Sequence, residues 1–507
     1  MSLKTVAETS SSVAATRSRK KKVEALRSCL AECSPANLQV LTAWLAGELL
    51  QGRIGLGPSI LRDVMDEPPA GEPSLSMTAV NRYIEKLAAL AGPGSLQHKR
   101  ELLAELMRAA TRQEQGFLMR LFLGDLRQGA LEGLMVDAIA AAAGIEATPV
   151  RRAVMLSGDL PAVAGVALTD GEQGLACFQL RVGTAVNAML AQPAATVEDA
   201  LGRLEFAAFE FKLDGARIQV HKSPDDVRIF TRQLNDVTER LPEIVDAVKN
   251  LEPAELILDG EVLALSGDGR PRPFQVTMKR FGRRHDVATM QESVPLTAFF
   301  FDCLHASGTD YIDAPAQQRF ETMAALLPDE MMIPRIFTAD ADEAEAFMRS
   351  ALAAGHEGIM AKSLDAPYEA GNRGAAWLKI KPVHTLDLVV LAAEWGSGRR
   401  KGWLSNLHLG ARDNDGFVML GKTFKGLTDE LLAWQTDKLL ELETGREGHV
   451  VHVRPELVVE IAFNDVQKSH QYPGGVALRF ARVRRYRDDK NAVQADTLET
   501  VRGFAAD

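Results

Sequence analysis

Up to about residue 190, apolar residues recur at intervals of three and four, as in the stretch at 98–144, and this spacing predicts amphipathic helices. Within that stretch Thr111 and Glu114 have the spacing of a capping box, which predicts a new helix after Thr111. Residues 1–25 are rich in Ser, Thr and Lys and are predicted to be a disordered tail. The remainder of this part is predicted to be all-α.

Beyond about residue 190 the pattern changes to short β-branched and aromatic runs separated by turns, which predict strands. The runs at 216–222 and 227–233 flank the polar sequence SPDD and predict an antiparallel hairpin. Helical patterns such as the one at 313–327 lie between other strands. The middle of the chain is therefore predicted to be α+β with antiparallel sheets.

Strands dominate again from about residue 384, with one helical pattern at 428–443. About five short strands and one helix suit a small β-barrel of the OB type. Pro382 lies at the seam between the two strand-containing parts. The fold class predicted is multidomain.

Composition is that of a globular protein, since 46% of the 507 residues are hydrophobic and 25% are charged. No apolar run is long enough to cross a bilayer, and no apolar signal segment opens the chain. The four cysteines, at 29, 33, 177 and 303, form no metal or disulfide pattern. These features predict a cytoplasmic protein that does not bind membranes.

The net charge of −10 and the pI of about 5.6 disfavour nucleic-acid binding for the chain as a whole. Positive charge is nevertheless clustered locally, as phosphate binding requires. The clusters lie at 17–22, 279–285, 398–402 and 479–490. Each cluster alone is more typical of a solvated surface.

Lys212 lies in the segment EFKLDGARIQ, where strand-like alternation is interrupted by charged residues and a glycine. Taken alone, this predicts either a charged hairpin tip or a nucleophilic lysine. A lysine attacks only in its neutral form, which burial or nearby cations favour. Lys379 and Lys381 alternate with Leu378 and Ile380, so both ammonium groups are expected on one strand face. They would supply cations near Lys212, or would lie on an edge strand in solvent.

Two carboxylates and one aromatic residue complete the candidate chemistry. Glu261 and Glu357 lie beside apolar strand residues, and carboxylates at phosphate sites commonly bind Mg²⁺. Phe301 ends an apolar run and is a candidate for stacking on a base. Each feature alone is more typical of a surface or core residue.

The order of the motifs is more specific than any one of them. EFKLDGAR, TRQLNDVT, LDGEV, FFFDCLH, EGIMAK, WLKIKP and LRFARVRRYRDDK follow one another over 210–490. This series resembles the covalent nucleotidyltransferases and, among them, the ATP-dependent DNA ligases. With the helical region before it, the chain is most similar to the stand-alone ligase B type of actinobacteria.

The resemblance implies a role for each matching residue. Lys212 would form lysyl-AMP from ATP, and the C-terminal motif would orient pyrophosphate through Arg482, Arg485 and Lys490. Glu261 and Glu357 would bind Mg²⁺, with Mn²⁺ as an alternative. The residues implied in binding ATP are Glu210, Arg217, Arg232, Glu261, Phe301, Arg373, Lys379 and Lys381.

The resemblance also implies a substrate and an organisation. The substrate would be nicked duplex DNA, gripped by a helical domain in which Arg120 and Arg127 are candidate phosphate contacts. The domains expected are helical DNA-binding (26–185), adenylation (186–382) and OB-fold (383–507). A monomer, associated with the nucleoid of a bacterium, is expected.

Three alternatives stay open on the sequence alone. An RNA ligase or a capping-type nucleotidyltransferase shares the chemistry, although the long helical region favours a DNA duplex. An NAD-dependent ligase would carry a cysteine zinc site after the OB domain, which the sequence lacks. A catalytically silent nucleic-acid-binding protein would be expected to lack the site residues, which are intact here.

Overall fold

The computed structural model describes residues 1–52, 54–129, 132–282, 287–369, 374–382, 384–414 and 416–504. The chain divides into two compact units. One comprises residues 1–356 and 360–379, and the other comprises 357–359 and 380–507. None of the helices in the described ranges combines the length and the apolarity needed to cross a membrane.

The first unit begins with a series of α-helices, as the three-and-four spacing predicts. These helices are α1 (Leu3–Ala15), α2 (Arg19–Ala31), α3 (Leu38–Ala46), α4 (Pro58–Asp63), α5 (Met77–Ala89), α6 (Ser95–Ala109), α7 (Arg112–Phe122), α8 (Glu132–Ala143), α9 (Ala147–Ser157) and α10 (Leu160–Gly174). Thr111 caps α7, and its backbone N–H donates to Glu114 Oε2 at 2.8 Å, so the predicted capping box is confirmed. Trp44 and Phe117 are fully buried in the helical core.

The prediction that residues 1–25 are a disordered tail is wrong. Residues 3–15 and 19–31 form α1 and α2, and the side chains of Ser2 and Ser18 cap them. Leu3, Val6 and Val13 are completely buried, because these apolar residues recur at helical spacing among the Ser and Thr residues. The prediction of disorder rested on the Ser, Thr and Lys content of this segment, which does not reveal the amphipathic pattern.

The rest of the first unit mixes strands and helices, as predicted. The strands are β1 (Gln192–Ala194), β2 (Ala207–Phe211), β3 (Ala216–Lys222), β4 (Val227–Thr231), β5 (Leu256–Ala264), β6 (Leu296–Ala306), β7 (Thr309–Asp310), β8 (Arg335–Thr338), β9 (Ile359–Lys362) and β10 (Trp377–Ile380). The helices are α11 (Val197–Leu204), α12 (Pro242–Lys249), α13 (Phe274–Phe281), α14 (Val287–Ser293), α15 (Ala316–Leu326) and α16 (Ala341–Ala353).

These strands form two five-stranded sheets. One has the order β1-β10-β9-β2-β8 and the other β4-β3-β5-β6-β7. The predicted hairpin is confirmed, since β3 and β4 pair antiparallel with Gln219 opposite Phe230. The strands β2 and β3 lie in different sheets, so residues 212–215 are not a hairpin tip. They carry the chain from one sheet to the other, and Lys212 lies on this crossing.

The second unit is rich in strands. They are β11 (His384–Trp395), β12 (Leu404–Asp413), β13 (Gly416–Thr423), β14 (Glu443–Glu447), β15 (Val450–Val453), β16 (Val458–Phe463), β17 (Asp465–Lys468), β18 (Val476–Arg479) and β19 (Arg482–Tyr486). The predicted helix is α17 (Asp429–Glu441), and a short α18 (Leu498–Arg502) follows β19.

The long strand β11 organises this unit. One edge of β11 pairs with β12, while the other pairs first with β16 and then with β15. A strand shared in this way curves the sheet around its core, as in a small barrel. Leu388 and Phe463 are among the buried residues of that core. The predicted class, with helical, α+β and strand-rich parts, is confirmed.

Candidate active site

A cavity of about 440 Å³ opens between the crossing at residues 212–215 and the two sheets of the first unit. Many residues predicted from the sequence line it together. These are Glu210, Lys212, Arg217, Arg232, Glu261, Phe301 and Lys379. Arg373 was also predicted to bind ATP, but it lies outside the described residues.

Lys212 is held at the cavity by the short path of the crossing. Its Nζ donates to the Leu213 carbonyl at 3.3 Å, and the Gly215 N–H donates to Glu261 Oε1 at 3.2 Å. A Cβ atom on residue 215 would lie 2.3 Å from the Val262 carbonyl oxygen. Glycine is therefore required here by close backbone approach.

Glu261 has a carboxylate whose negative charge is only partly offset by neighbouring positive charges. Burial raises its pKa to about 7, although the positive charges of Lys212 and Arg217 oppose the shift. An additional cation beside this carboxylate would favour its ionised form. Glu261 therefore has the chemistry of a metal ligand.

Arg217 is fixed along one wall of the cavity. Its Nε and Nη2 donate to the two Asp259 carboxylate oxygens at 3.0 and 2.6 Å. The Tyr368 hydroxyl donates to the same carboxylate at 2.7 Å. The guanidinium carbon lies 5.4 Å from the centroid of the Phe301 ring, so a cation and an aromatic face share this wall.

Glu210 is buried beneath the cavity and joins two cations. Its Oε2 lies 2.7 Å from Lys362 Nζ, and its Oε1 accepts from Arg335 Nε at 2.8 Å. Lys362 Nζ also lies 4.2 Å from the Trp377 ring centroid and 4.5 Å from that of Phe301. Burial lowers the pKa of Lys362, and the Glu210 carboxylate opposes that shift.

Sequence reasoning missed several residues of this cavity and of its support. They are Asp259, Arg335, Lys362, Tyr368 and Trp377. Their signal was present, since Lys362 ends the apolar run GIMAK and Asp259 ends the run LIL. A charged residue within a buried strand or at its end needs a partner, and the partner is close in space but distant in sequence.

Strand β10 directs Lys379 into the cavity, while its neighbours Leu378 and Ile380 are buried on the opposite side. This is the alternation that the sequence predicts. In the second unit Lys381 forms an ion pair with Glu357.

The predicted C-terminal motif lies on β19 and the turn after it, in the second unit. Arg485 Nε donates to Glu460 Oε2 at 2.8 Å, and Arg482 is exposed. Lys490 Nζ donates to Asp387 Oδ2 at 2.6 Å. The sequence analysis did not select Arg487, which contacts the carboxylates of both Asp387 and Asp489.

The two arginines predicted to contact DNA lie at the end of α7 and just after it. Arg120 is half-buried in the last turn of α7. Arg127 has a positive φ of 52°, and its side chain is 78% exposed beside Asp125.

Within the described ranges, no group of three or more His, Cys, Asp or Glu residues could hold a metal ion by itself. Mg²⁺ at phosphate sites takes one or two carboxylates and completes its shell with substrate phosphates and water. The incompletely compensated Glu261 carboxylate in the cavity wall fits that requirement.

A cavity between two antiparallel sheets, with a lysine on the crossing that joins them, together with an OB-type unit, defines the class of covalent nucleotidyltransferases. Comparison with known families narrows the class. The "ATP dependent DNA ligase domain" family matches residues 188–381, the "ATP dependent DNA ligase C terminal region" matches 400–490, and the "DNA ligase N terminus" matches 61–140.

Curated relatives match along the whole chain. A "Probable DNA ligase" of Anaeromyxobacter sp. (strain Fw109-5) is 55% identical over 510 residues, which cover 100% of this chain and 98% of that protein. A "Probable DNA ligase" of Mycolicibacterium gilvum (strain PYR-GCK) is 56% identical over 507 residues, with 99% of each chain covered. The chain therefore belongs to the ATP-dependent DNA ligases.

The solved structure "Pmar-Lig_PreS3" shares the fold. It aligns with a TM-score of 0.61 and 19% identity over 95% of this chain and 99% of its own. The family assignment decides for a DNA ligase over the RNA ligase, capping-enzyme and silent-protein alternatives.

Proposed function

We propose that this ligase seals nicks that carry a 5′-phosphate and a 3′-hydroxyl in duplex DNA, with Lys212 as the nucleophile that carries AMP. One observation supports the assignment above all others. The cavity that holds Lys212 also holds Arg217, Lys379 and the Phe301 ring, the groups needed for phosphates and a base.

In the first step, the neutral Lys212 Nζ attacks the α-phosphorus of ATP. The N–P bond forms, and the bond from that phosphorus to the oxygen bridging to the β-phosphate breaks. The electron pair leaves with pyrophosphate, and the nitrogen loses a proton to water. Arg217, Arg232 and Lys379 would offset negative charge on the phosphates, while Phe301 stacks on the adenine.

In the second step, an oxygen of the 5′-phosphate attacks the phosphorus of the lysyl-AMP. The P–N bond breaks, and Lys212 Nζ regains a proton. In the third step, the 3′-oxygen attacks the 5′-phosphorus, loses its proton, and displaces AMP. Covalent catalysis thus divides one difficult condensation into easier transfers.

The ATP-dependent ligases use a divalent metal, and we infer that Glu261 in the first unit and Glu357 in the second are each a carboxylate able to bind Mg²⁺, with Mn²⁺ as the alternative. When bound, the ion would neutralise charge on the phosphates. Glu261 would orient it from the same backbone junction that fixes Gly215 beside Lys212. The hydrogen bond from Gly215 to Glu261 supports this link between metal and nucleophile.

Three further expectations belong to this proposal. The boundaries near residues 185 and 382 would separate helical, adenylation and OB domains. The helical part would contact DNA phosphates through Arg120 and Arg127. The protein would act as a cytoplasmic monomer that binds ATP and nicked DNA and no membrane.

The first test is transfer of label from α-labelled ATP with Mg²⁺ to the protein. We expect acid-labile label on the wild type and none on Lys212→Ala, because no other lysine occupies the crossing. Lys249→Ala, at an exposed residue near the end of α12, is the matched control and should retain the label.

A nicked duplex supplied with either ATP or NAD tests the substrate. Sealing with ATP and not with NAD is expected. Label on Lys212→Ala would contradict the nucleophile, and sealing restricted to nicked RNA would contradict the substrate.

A further inference from the structure

One carboxylate in the second unit binds two cations of the C-terminal motif. Asp387, on β11, is 8% exposed. Its Oδ2 accepts from Lys490 Nζ at 2.6 Å and from Arg487 Nη1 at 2.8 Å, and its Oδ1 lies 3.1 Å from the same Nη1. Charge-assisted bonds of this length rank among the stronger polar contacts in proteins.

The position of Asp387 is set independently of these cations. Its backbone N–H donates to Asp496 Oδ2 at 2.7 Å, and the Asp496 N–H donates to the Asp387 carbonyl at 2.8 Å. Two hydrogen bonds between the same two residues hold the backbone of β11 here. The side chain is therefore available as a fixed anchor for other groups.

The turn that carries the cations is fixed to the strands at its start. The Arg487 N–H donates to the Val458 carbonyl at 2.9 Å, and its Nε and Nη2 donate to Asp489 at 2.8 and 2.6 Å. The Lys490 N–H donates to the Arg487 carbonyl at 3.0 Å. The Lys490 side chain is 31% exposed, so its ammonium is held by Asp387 and still reachable from solvent.

We propose that Asp387 is a positioning residue for the transfer of AMP from ATP, holding Lys490 and Arg487 in the orientation in which they bind pyrophosphate. The inference rests on the proposed function and on the expectation from the sequence that Lys490 orients that leaving group. A lysine ammonium on a flexible four-carbon stem loses many rotamers when it binds a phosphate. An anchor that restricts those rotamers beforehand makes the encounter more favourable.

The replacement Asp387→Asn tests this, because it keeps the size and the backbone pair with Asp496 and removes the charge. We expect lysyl-AMP formation to slow by about 10- to 100-fold, the loss typical of a charge-assisted hydrogen bond. The KM for pyrophosphate in the reverse reaction should rise. Sealing of a nick already carrying AMP on its 5′-phosphate should stay within about twofold, since no pyrophosphate takes part.

Two controls separate positioning from stability. Glu443→Gln breaks an arginine–carboxylate pair of similar geometry on β14, where Arg446 Nε lies 2.6 Å from Glu443, and should leave both steps unchanged. Asp387→Glu restores the charge and should recover part of the first step. If Asp387→Asn fails to fold, Lys490→Gln takes its place and should show the same selective defect.

A double variant gives the sharpest outcome. Asp387→Asn with Lys490→Gln should lose less in the first step than the product of the two single losses, because the anchor acts in part through the lysine. Equal losses in both steps, or an unchanged first step in Asp387→Asn, would overturn the inference alone. A wild-type protein that takes up no label from ATP would overturn the proposed function and this inference with it.

Discussion

Gly215 shows how closely a single residue constrains Lys212, the proposed nucleophile. Its backbone N–H bonds the Glu261 carboxylate, and its missing side chain allows contact with the Val262 carbonyl. The same residue therefore sets the distance of the Lys212 crossing from β5. Any atom added at this point pushes the crossing away from the cavity wall.

Gly215→Ala should lower the free energy of unfolding by about 1–3 kcal/mol, the cost typical of overpacking. It should also slow the appearance of labelled lysyl-AMP, because the added Cβ displaces Lys212 together with its backbone. Thermal unfolding and label transfer from ATP measure the two effects.

Gly202→Ala is the matched control, since a Cβ there would meet nothing within 4 Å on the exposed side of α11. It should raise stability by roughly 0.5–1 kcal/mol, as expected for alanine in a helix. Equal behaviour of the two variants would contradict the close-approach argument.

At the residue scale, sequence reasoning finds the groups that a motif makes visible. Lys212, Glu261 and Lys379 were predicted because their neighbours form recognisable patterns. Lys362 and Asp259 were not, because their importance comes from the charges they neutralise across the fold. Glu210 pairs with Lys362 152 positions later in the chain, and local spacing carries no record of such a contact.

At the element scale, β3 binds the segment that leads from the helices into the sheets. Alternate side chains of this strand bond backbone groups of residues 183–189. The pairs are Arg217 with Met189, Gln219 with Val186 and His221 with Gly183. Their spacing of two follows from the strand, since every second residue shares a face. This face of β3 therefore holds residues 183–189 in place beside the cavity.

His221 makes this connection sensitive to acid. The imidazole is 1% exposed, its Nδ1 accepts from the Gly183 N–H at 3.0 Å, and its Nε2 lies 2.8 Å from Gln219 Oε1. Nδ1 can accept that bond only in the neutral ring. Burial lowers the pKa of His221 to about 3, and the charges of His305 and Arg228 add to the shift.

Because the folded pKa lies below the ordinary histidine value, the unfolded chain binds the proton first as the pH falls. Stability from His221 is complete above a pH of about 6.5 and is lost progressively toward a pH of about 3. Between about pH 7 and pH 5 the loss should be about 2 kcal/mol. Thermal unfolding of the wild type and of His221→Asn across this range measures it.

The difference between the two proteins isolates His221 from other titrating groups. The wild type should lose stability more steeply than His221→Asn as the pH falls. Parallel curves would show that the ring is already protonated in the folded protein or that it contributes nothing.

At the same scale, the sequence predicts well which segments form strands, but it predicts poorly which strands pair with one another. The pairing of β3 with β4 was predicted because a short polar turn joins them. The separation of β2 from β3 was not, because the same local alternation suits a hairpin or a crossing between sheets. Which of the two forms depends on contacts such as that of β2 with β8, more than a hundred residues later.

At the scale of the whole molecule, the net charge of −10 does not show which basic residues form internal contacts and which are exposed. Some basic residues serve the fold: in the cluster at 17–22, Arg19 pairs with Asp137, and Lys22 donates to the Gln128 carbonyl. Such internal pairing explains why a charged N-terminal segment is ordered helix. Others, such as Arg127 beside Asp125, are largely exposed to solvent.

The affinity for nicked DNA should therefore fall steeply as the salt concentration rises, in spite of the negative net charge of the protein. Each phosphate contact contributes about −0.9 to the slope of log K against log salt. Replacing both Arg120 and Arg127 with Gln should make that slope shallower by about 2. Titrations of a labelled nicked duplex at several salt concentrations measure the slope.

Arg228→Gln removes an arginine that is 54% exposed and paired with Asp226, and it should leave the slope unchanged. A slope that is equal in all three proteins would exclude Arg120 and Arg127 from the DNA contact. The sequence identified the acidic total and the basic clusters, but the pairing of each cation depends on the folded chain.

The crossing at residues 212–215 also has a consequence for engineering. These residues bridge two sheets and carry Lys212, the proposed nucleophile, so their number cannot change without moving that lysine. The hairpin tip at 223–226 joins β3 to β4 within one sheet and carries no residue of the cavity. An inserted tag or fused domain should be tolerated at that tip and should inactivate the enzyme at the crossing, although the two loops lie only a few residues apart in the sequence.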